Sequence, residues 1–260
     1  MIDLQQIKNY FPFDVREKPM LAKYMLKEYV QVLILDFLSS CGYIEKVAFI
    51  GGTNLRLVKG IDRFSEDLDF DCKDFSERDF LNMTDDVLVF LKRSGLRVEI
   101  RDKQSEKLKA FRRNIYFPEI LFEMGLSGYK EERFLIKIET QNQGFDYKSN
   151  MVNIKRLGFF FPFSVPPDSV LCAMKISALL SRAKGRDFYD TMFLLQQTEP
   201  DYPYLTEKCN IKNRTELKTA LLDTGEKTNI KWKIQDFEHL LFNKVNAQKV
   251  LLFKSFVESI

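Results

Sequence analysis

Leu21 to Ser39 carries apolar residues at helical spacing, through Met25, Val32, Leu35 and Leu38. Pro19 can open this helix and Cys41-Gly42 supplies a stop. Val47-Ala48-Phe49-Ile50 reads as a short apolar strand ending at Gly51-Gly52, and Thr53 is placed to cap a short helix through Val58. Leu68 to Cys72 predicts a second strand, with Asp67, Asp69 and Asp71 on one side of the pleat and Leu68 and Phe70 on the other. Ser76 caps an amphipathic helix to about Arg93. Beyond Ser94-Gly95 the segments Leu96–Arg101, Ala110–Phe117, Ile120–Leu126 and Phe134–Thr140 look like strands, which gives a mixed sheet with few covering helices. Phe159 to Pro167, aromatic and proline-rich, reads as a connector or packing segment. After it the pattern is mainly helical, over Asp168–Ser181, Asp187–Gln196, Glu216–Thr224, Ile234–Phe242 and Ala247–Val257. The expectation is an α+β (α/β) chain of two domains, residues 1–164 with the mixed sheet and an N-terminal helix, and residues 165–260 mainly helical.

Composition narrows the chemistry. The 260 residues are 45% hydrophobic, enough to bury a substantial core, and 40 basic against 37 acidic residues leave any basic surface to be a local one. Cys41, Cys72, Cys172 and Cys209 form no C-x-x-C pair, and the single histidine, His239, has no second imidazole with which to share a metal; zinc chemistry and a Ser-His-Asp triad are thereby disfavoured. Scattered thiols, an N-terminus without a signal-peptide pattern and the lack of a run of about 20 apolar residues lead us to expect a cytoplasmic protein with no membrane partner.

The chemistry-bearing constellation is Gly51-Gly52-Thr53 followed by Arg63-Phe64-Ser65-Glu66-Asp67-Leu68-Asp69-Phe70. Carboxylates two residues apart on a strand project from one face, where they can hold a hard divalent cation or bridge two, as a phosphoryl-transfer site requires. The glycines let backbone approach phosphate oxygens, the helix start aims N–H groups at them, and Thr53 can add a hydroxyl donor. Arg63 can reach the same anion or form a structural salt bridge. On the helix predicted from Asp168, Lys175 and Arg182 stand seven apart on one face, and Lys184 and Arg186 extend that positive wall. Lys175 is isolated in an apolar run, which favours a functional cation there; for Lys184 a solvated basic face is the better reading. Asp187 can cap the following helix and pair with Arg186 or Arg182.

Phe49-Ile50-Gly51-Gly52-Thr53 with Arg63 to Phe70 resembles the first motif of the AbiEii/AbiGii-type nucleotidyltransferases, the toxin halves of abortive-infection toxin–antitoxin pairs. Lys175-Ile176-Ser177-Ala178-Leu179-Leu180-Ser181-Arg182-Ala183-Lys184-Gly185-Arg186-Asp187-Phe188-Tyr189-Asp190 is similar to that family's downstream block. The two motifs together span about residues 47 to 195. The resemblance implies a polymerase-β-like nucleotidyltransferase domain, a helical C-terminal domain that completes a nucleotide cleft, and NTP as substrate with Mg2+, or Mn2+, on Asp67 and Asp69. It also implies a nucleotide-binding set of Gly51, Gly52, Thr53, Arg63, Ser65, Lys175, Arg182 and Arg186, and a catalytic or metal-orienting role for Asp187 or Asp190. Such sites generally use a third carboxylate from a neighbouring strand; Glu139 is the candidate and Glu123 its competitor.

Relatives of this kind can add nucleotides to RNA 3′ ends, including tRNA, and the expected partners are therefore an NTP, an RNA acceptor and a winged-helix antitoxin. Lys103, Lys107, Lys109, Arg112 and Arg113, with Phe111 and Tyr116, form a basic stretch that either follows an RNA backbone or is an ordinary exposed loop. Two alternatives stand beside the RNA reading: transfer to a protein or small-molecule hydroxyl, and a non-catalytic nucleotide- or partner-binding module.

Overall fold

The computed structural model describes residues 2–101 and 110–260, so Lys103, Lys107 and Lys109 of the basic stretch lie outside the described residues. The chain divides into two compact units. The first comprises Met1–Gly60, Phe64–Gly144 and Ser149–Val165, and the second Ile61–Arg63, Phe145–Lys148 and Pro166–Ile260.

In the first unit the elements are α1 (Leu4–Asn9), α2 (Phe13–Arg16), α3 (Ala22–Ser39), β1 (Val47–Ile50), α4 (Gly51–Leu57), β2 (Asp67–Cys72) and α5 (Glu77–Arg93). They continue with β3 (Glu99–Ile100), β4 (Phe111–Tyr116), α6 (Ile120–Glu123), β5 (Leu135–Gln141), β6 (Asn150–Arg156) and β7 (Phe159–Val165). Among the described residues five strands form a mixed sheet in the order β1-β2-β5-β4-β3, in which the neighbours β2 and β5 pair parallel and the other neighbouring pairs are antiparallel. Helix α3 buries Met25, Leu26, Val30, Val32, Ile34, Leu35 and Leu38, which cover more than one side of the helix, and it packs against β7 and α5. Helix α5 buries one stripe, Phe80, Met83, Val87, Leu88 and Leu91. Its N-terminus is a reciprocal capping box in which the Asp79 amide donates to Ser76 Oγ at 3.1 Å and the Ser76 amide donates to Asp79 Oδ2 at 2.9 Å.

Two segments differ from the sequence-based expectation. Ile120–Leu126, expected as a strand, begins with the short helix α6 behind Glu119, whose φ is +58°; a brief apolar run does not separate strand from helix by periodicity. Phe159–Pro167, expected as a connector, contains β7, which pairs with β6 as a separate hairpin closed by Leu157 and Gly158 at φ +52° and +84°. Pro162 is tolerated because this sheet has only two strands, so each is an edge. Phe161 and Phe163 are buried, whereas Phe160 points out.

The second unit is helical: α7 (Asp168–Arg182), α8 (Gly185–Leu195), α9 (Tyr202–Cys209), α10 (Arg214–Lys227), α11 (Ile230–Gln235) and α12 (Phe253–Ser259), with 3-10 turns at Glu238–Leu240 and Lys244–Leu252. The expected helices Ile234–Phe242 and Ala247–Val257 are thus each part α-helix and part 3-10. The segment Ile61–Arg63 is tied into this unit by polar contacts: Tyr189 Oη and Asn246 Nδ2 each donate to the Asp62 carboxylate at 2.6 Å, and the Phe242 amide donates to the Asp62 carbonyl at 3.0 Å. Among the described residues no helix is long and apolar enough to cross a membrane.

Candidate active site

Strand β2 alternates as its sequence demands. Leu68 and Phe70 are buried, and Asp67 and Asp69 stand on the opposite, half-exposed face. β1 delivers the chain to Gly51 directly beside them, since Ile50 pairs with Asp69. Gly51 has φ +81°, and a Cβ at this position would occupy the space of the Asp69 carboxylate, so glycine is required both by the backbone and by the close approach.

Thr53 departs from expectation. It does not cap α4, whose first residue is Gly51 and whose N-cap, Ile50, brings no side-chain cap. It is fully buried, and its hydroxyl donates to the Asp67 carbonyl, so it fixes the carboxylate strand to α4 and is not available as a phosphate donor. Ser65 is likewise buried, with its carbonyl accepting from Gln31 Nε2 at 3.2 Å.

The parallel pairing of β2 with β5 sets Asp67 opposite Lys137 and Asp69 opposite Glu139. Glu139 is therefore a neighbour of the aspartate pair, but it is already engaged. Its Oε2 accepts from Lys137 Nζ at 3.1 Å, from Arg112 Nη2 at 2.9 Å and from Arg112 Nε at 3.0 Å, while Lys137 Nζ also lies 3.0 Å from Asp67 Oδ2. Burial by itself raises the Glu139 carboxyl; Lys137 and then Arg112 outweigh it and hold the group below its ordinary value. Burial works against the Lys137 ammonium, and Asp67 followed by Glu139 overcomes that and raises it. Among the described residues no group of three or more His, Cys, Asp or Glu side chains is arranged to hold a metal ion. The residues present fit a hard cation at Asp67 and Asp69, which offer oxygen donors on an accessible face. Glu139, the expected third ligand, has its Oε2 engaged by Lys137 and Arg112. Glu123, the competing candidate, lies on α6 and pairs with Arg97.

In the second unit the expected nucleotide-binding cations have specific partners. Arg63 is 1% exposed and holds Asp190 in a bidentate pair, Nε to Oδ1 and Nη2 to Oδ2 both at 2.7 Å. This is the salt-bridge alternative for Arg63 and takes it out of reach of a phosphate. Lys175 Nζ donates to the same Asp190 Oδ2 at 2.9 Å. Burial alone would raise the Asp190 carboxyl; Arg63 and then Lys175 override it and hold the group at about 2. Arg182 holds Asp187 in the same bidentate manner at 2.7 and 2.8 Å, and Asp187 also accepts from the amide of Lys184, the N-cap of α8. Asp187 and Asp190 are both fully buried. Asp190 holds Arg63 and Lys175 in place, and Asp187 holds Arg182 and the N-terminal end of α8. Arg186 is half-buried. Gly185 is required by close packing, because a Cβ there would run into the Lys233 carbonyl.

Of the basic stretch, Arg112 serves Glu139 and Arg113 pairs with Asp85. The participation of Lys137 was not visible in the sequence. Its only signal was that it shares an alternating strand face with Glu139, and its pairing with Asp67 depends on strand order.

Solved structures with the same architecture identify the fold. MenT4, a nucleotidyltransferase toxin of Mycobacterium tuberculosis, superposes with a TM-score of 0.60 at 16% identity, covering 100% of this chain and 91% of its own. JHP933 of Helicobacter pylori superposes with a TM-score of 0.56 at 18% identity, covering 91% and 90%. No curated protein sequence matches. The class is therefore that of the nucleotidyltransferase fold. Within that class, residues 33–253 match the family described as nucleotidyl transferase AbiEii toxin of type IV toxin–antitoxin systems, and the chain belongs to that family. It is accordingly a nucleotidyltransferase of the toxin type, with NTP as substrate, in a family defined by pairing with an antitoxin.

Proposed function

We propose that the chain transfers a nucleotidyl group from an NTP to an RNA hydroxyl, with tRNA 3′ ends as the acceptor class, and that it acts as the toxin opposite a winged-helix antitoxin. The observation that carries the reading is the half-exposed face on which Asp67 and Asp69 stand beside Gly51. Asp67 and Asp69 hold Mg2+, or Mn2+; the ion, when bound, neutralises triphosphate charge and lowers the pKa of an attacking hydroxyl. Gly51 and Gly52 open the backbone to phosphate oxygens, and Thr53 holds β2 in place from beneath through the Asp67 carbonyl. Lys175, fixed by Asp190, serves the triphosphate, and Arg186 adds positive charge. The acceptor class rests on the family. Transfer from each of four α-labelled NTPs to total RNA with Mg2+ tests it, comparing wild type with Asp69→Ala. Label in a tRNA-sized band that vanishes in the variant is the expected result. Label in protein or small molecules, or none at all, overturns the RNA acceptor.

A further inference from the structure

Gly185 opens α8, and its backbone lies so close to the Lys233 carbonyl that a Cβ there would overlap it. This approach sets the start of α8 beside α11, and it gathers Lys184 and Arg186 from the one with Lys231, Trp232 and Lys233 from the other. The positive charge is not neutralised locally. Among the described residues Lys184, Arg186 and Lys231 stand in no ion pair, and Lys233 has a loose one, its Nζ 3.9 Å from Asp236 Oδ2. Asp187, the nearest acid in sequence on α8, is buried and held by Arg182. Trp232, the single tryptophan of the chain, is 74% exposed and stands between Lys231 and Lys233. Its exposure follows from the helix: Ile234 is buried, and a residue two positions away points about 200° round the axis. Asn229 caps α11, its Oδ1 accepting from the Trp232 amide at 3.3 Å, so the indole stands on a fixed backbone.

We propose that this surface holds the RNA acceptor, with Trp232 stacking on an unpaired base and Lys184, Lys231 and Lys233 on the flanking phosphates. A single strand supplies what complements the surface, negative charge at regular spacing and flat π-faces open to an aromatic side chain. A duplex fits less well, because its bases are already stacked on one another. A protein partner fits less well too, because lysine is depleted at protein interfaces. The inference rests on the RNA reading of the acceptor. Arg186, which that reading gives to the triphosphate, follows Gly185 directly, so a strand held here starts beside a residue of the nucleotide-binding set.

The test is titration of the full chain with an unstructured single-stranded RNA oligonucleotide, followed by anisotropy of a label on the RNA and by tryptophan fluorescence. The fluorescence reports this surface alone, because Trp232 has no second tryptophan beside it in the sequence. Both signals are expected to saturate together. Trp232→Ala is expected to weaken binding roughly 5- to 150-fold by anisotropy, the range for one lost base–aromatic stack, with Trp232→Phe between it and wild type. The double variant Lys184→Gln/Lys231→Gln is expected to flatten the slope of log K against log salt by about 1.4, at roughly 0.7 per cation. All three variants are expected to melt like wild type, since the substituted side chains are exposed. RNA that raises the anisotropy while Trp232 fluorescence stays constant, or that Trp232→Ala binds as tightly as wild type, overturns this inference and leaves the RNA acceptor standing. Wild type that labels total RNA but does not bind the oligonucleotide has the same consequence. Wild type that neither binds the oligonucleotide nor labels RNA overturns the RNA acceptor and the inference with it.

Discussion

Removing either member of the Lys175–Asp190 pair separates a functional cation from a structural one. Asp190→Ala leaves Arg63, 1% exposed, and Lys175, 8% exposed, without the carboxylate that neutralises both. Taking one partner from a buried ion cluster costs roughly 3–5 kcal/mol, because the remaining charges stay desolvated and lose their shared counter-charge. At about 2–4 °C per kcal/mol for a chain of this size, the melting temperature falls by roughly 6–20 °C. Lys175→Met is different. Asp190 keeps both bonds from Arg63, and the thioether chain follows much of the lysine stem, so the loss of one contact is partly offset by the cation no longer buried; the expected cost is within about 1 kcal/mol. If Lys175 serves the triphosphate, that same variant loses roughly 100-fold or more in kcat/KM for NTP, the magnitude of removing one group aimed at developing charge. The assay is a differential scanning melt paired with single-turnover transfer from labelled NTP. Lys175→Met melting as low as Asp190→Ala would show that the lysine is part of the core ion cluster alone. Lys175→Met melting like wild type and transferring at the wild-type rate would refute the triphosphate role directly.

Other outcomes follow from the same structure. Gly51→Ala places a side chain in the left-handed region and against the Asp69 carboxylate; it is expected to cost roughly 1–3 kcal/mol in thermal stability and to weaken Mn2+ uptake, while Gly128→Ala, with no heavy atom within 4 Å of the added Cβ, leaves uptake unchanged. Thr53→Val removes the buried donor to the Asp67 carbonyl and is expected to cost about 1–3 kcal/mol in a denaturation experiment, with Thr53→Ser close to wild type. Asp190 titrates lower in the folded chain, about 2, than the roughly 3.9 of an unfolded aspartate, so its contribution is fully present above the unfolded value and is lost as pH falls through the folded one. Stability measured by urea denaturation from pH 5 downward should fall by roughly 2–3 kcal/mol through this group, and Asp190→Asn should remove that part of the slope.

Much of the frame can be read directly from residue order. Strand β1, the break at Gly51-Gly52 and the alternation of β2 are local facts of polarity and glycine, and they place Asp67 and Asp69 on one face before any tertiary contact is known. The capping box at Ser76, the apolar stripe of α5 and the apolar run of α3 are equally local. The Asp168 helix carries its own signal in the isolated Lys175. Short elements were less legible. Ile120–Glu123 and the Leu157-Gly158 hairpin lack the length or the usual Asn-Gly turn residues that separate strand, helix and connector.

Tertiary structure decided the partners. Nothing in the spacing of Thr53 reveals that its hydroxyl turns inward to the Asp67 carbonyl, or that Arg63 reaches a carboxylate 127 residues away. Local pattern fixed which residue types stand on which face, because side-chain direction follows from backbone period. Which cation meets which carboxylate follows from strand order and chain crossings. The parallel pairing of β2 with β5 is what brings Lys137 between Asp67 and Glu139 and sets both carboxylates in one ion-paired cluster.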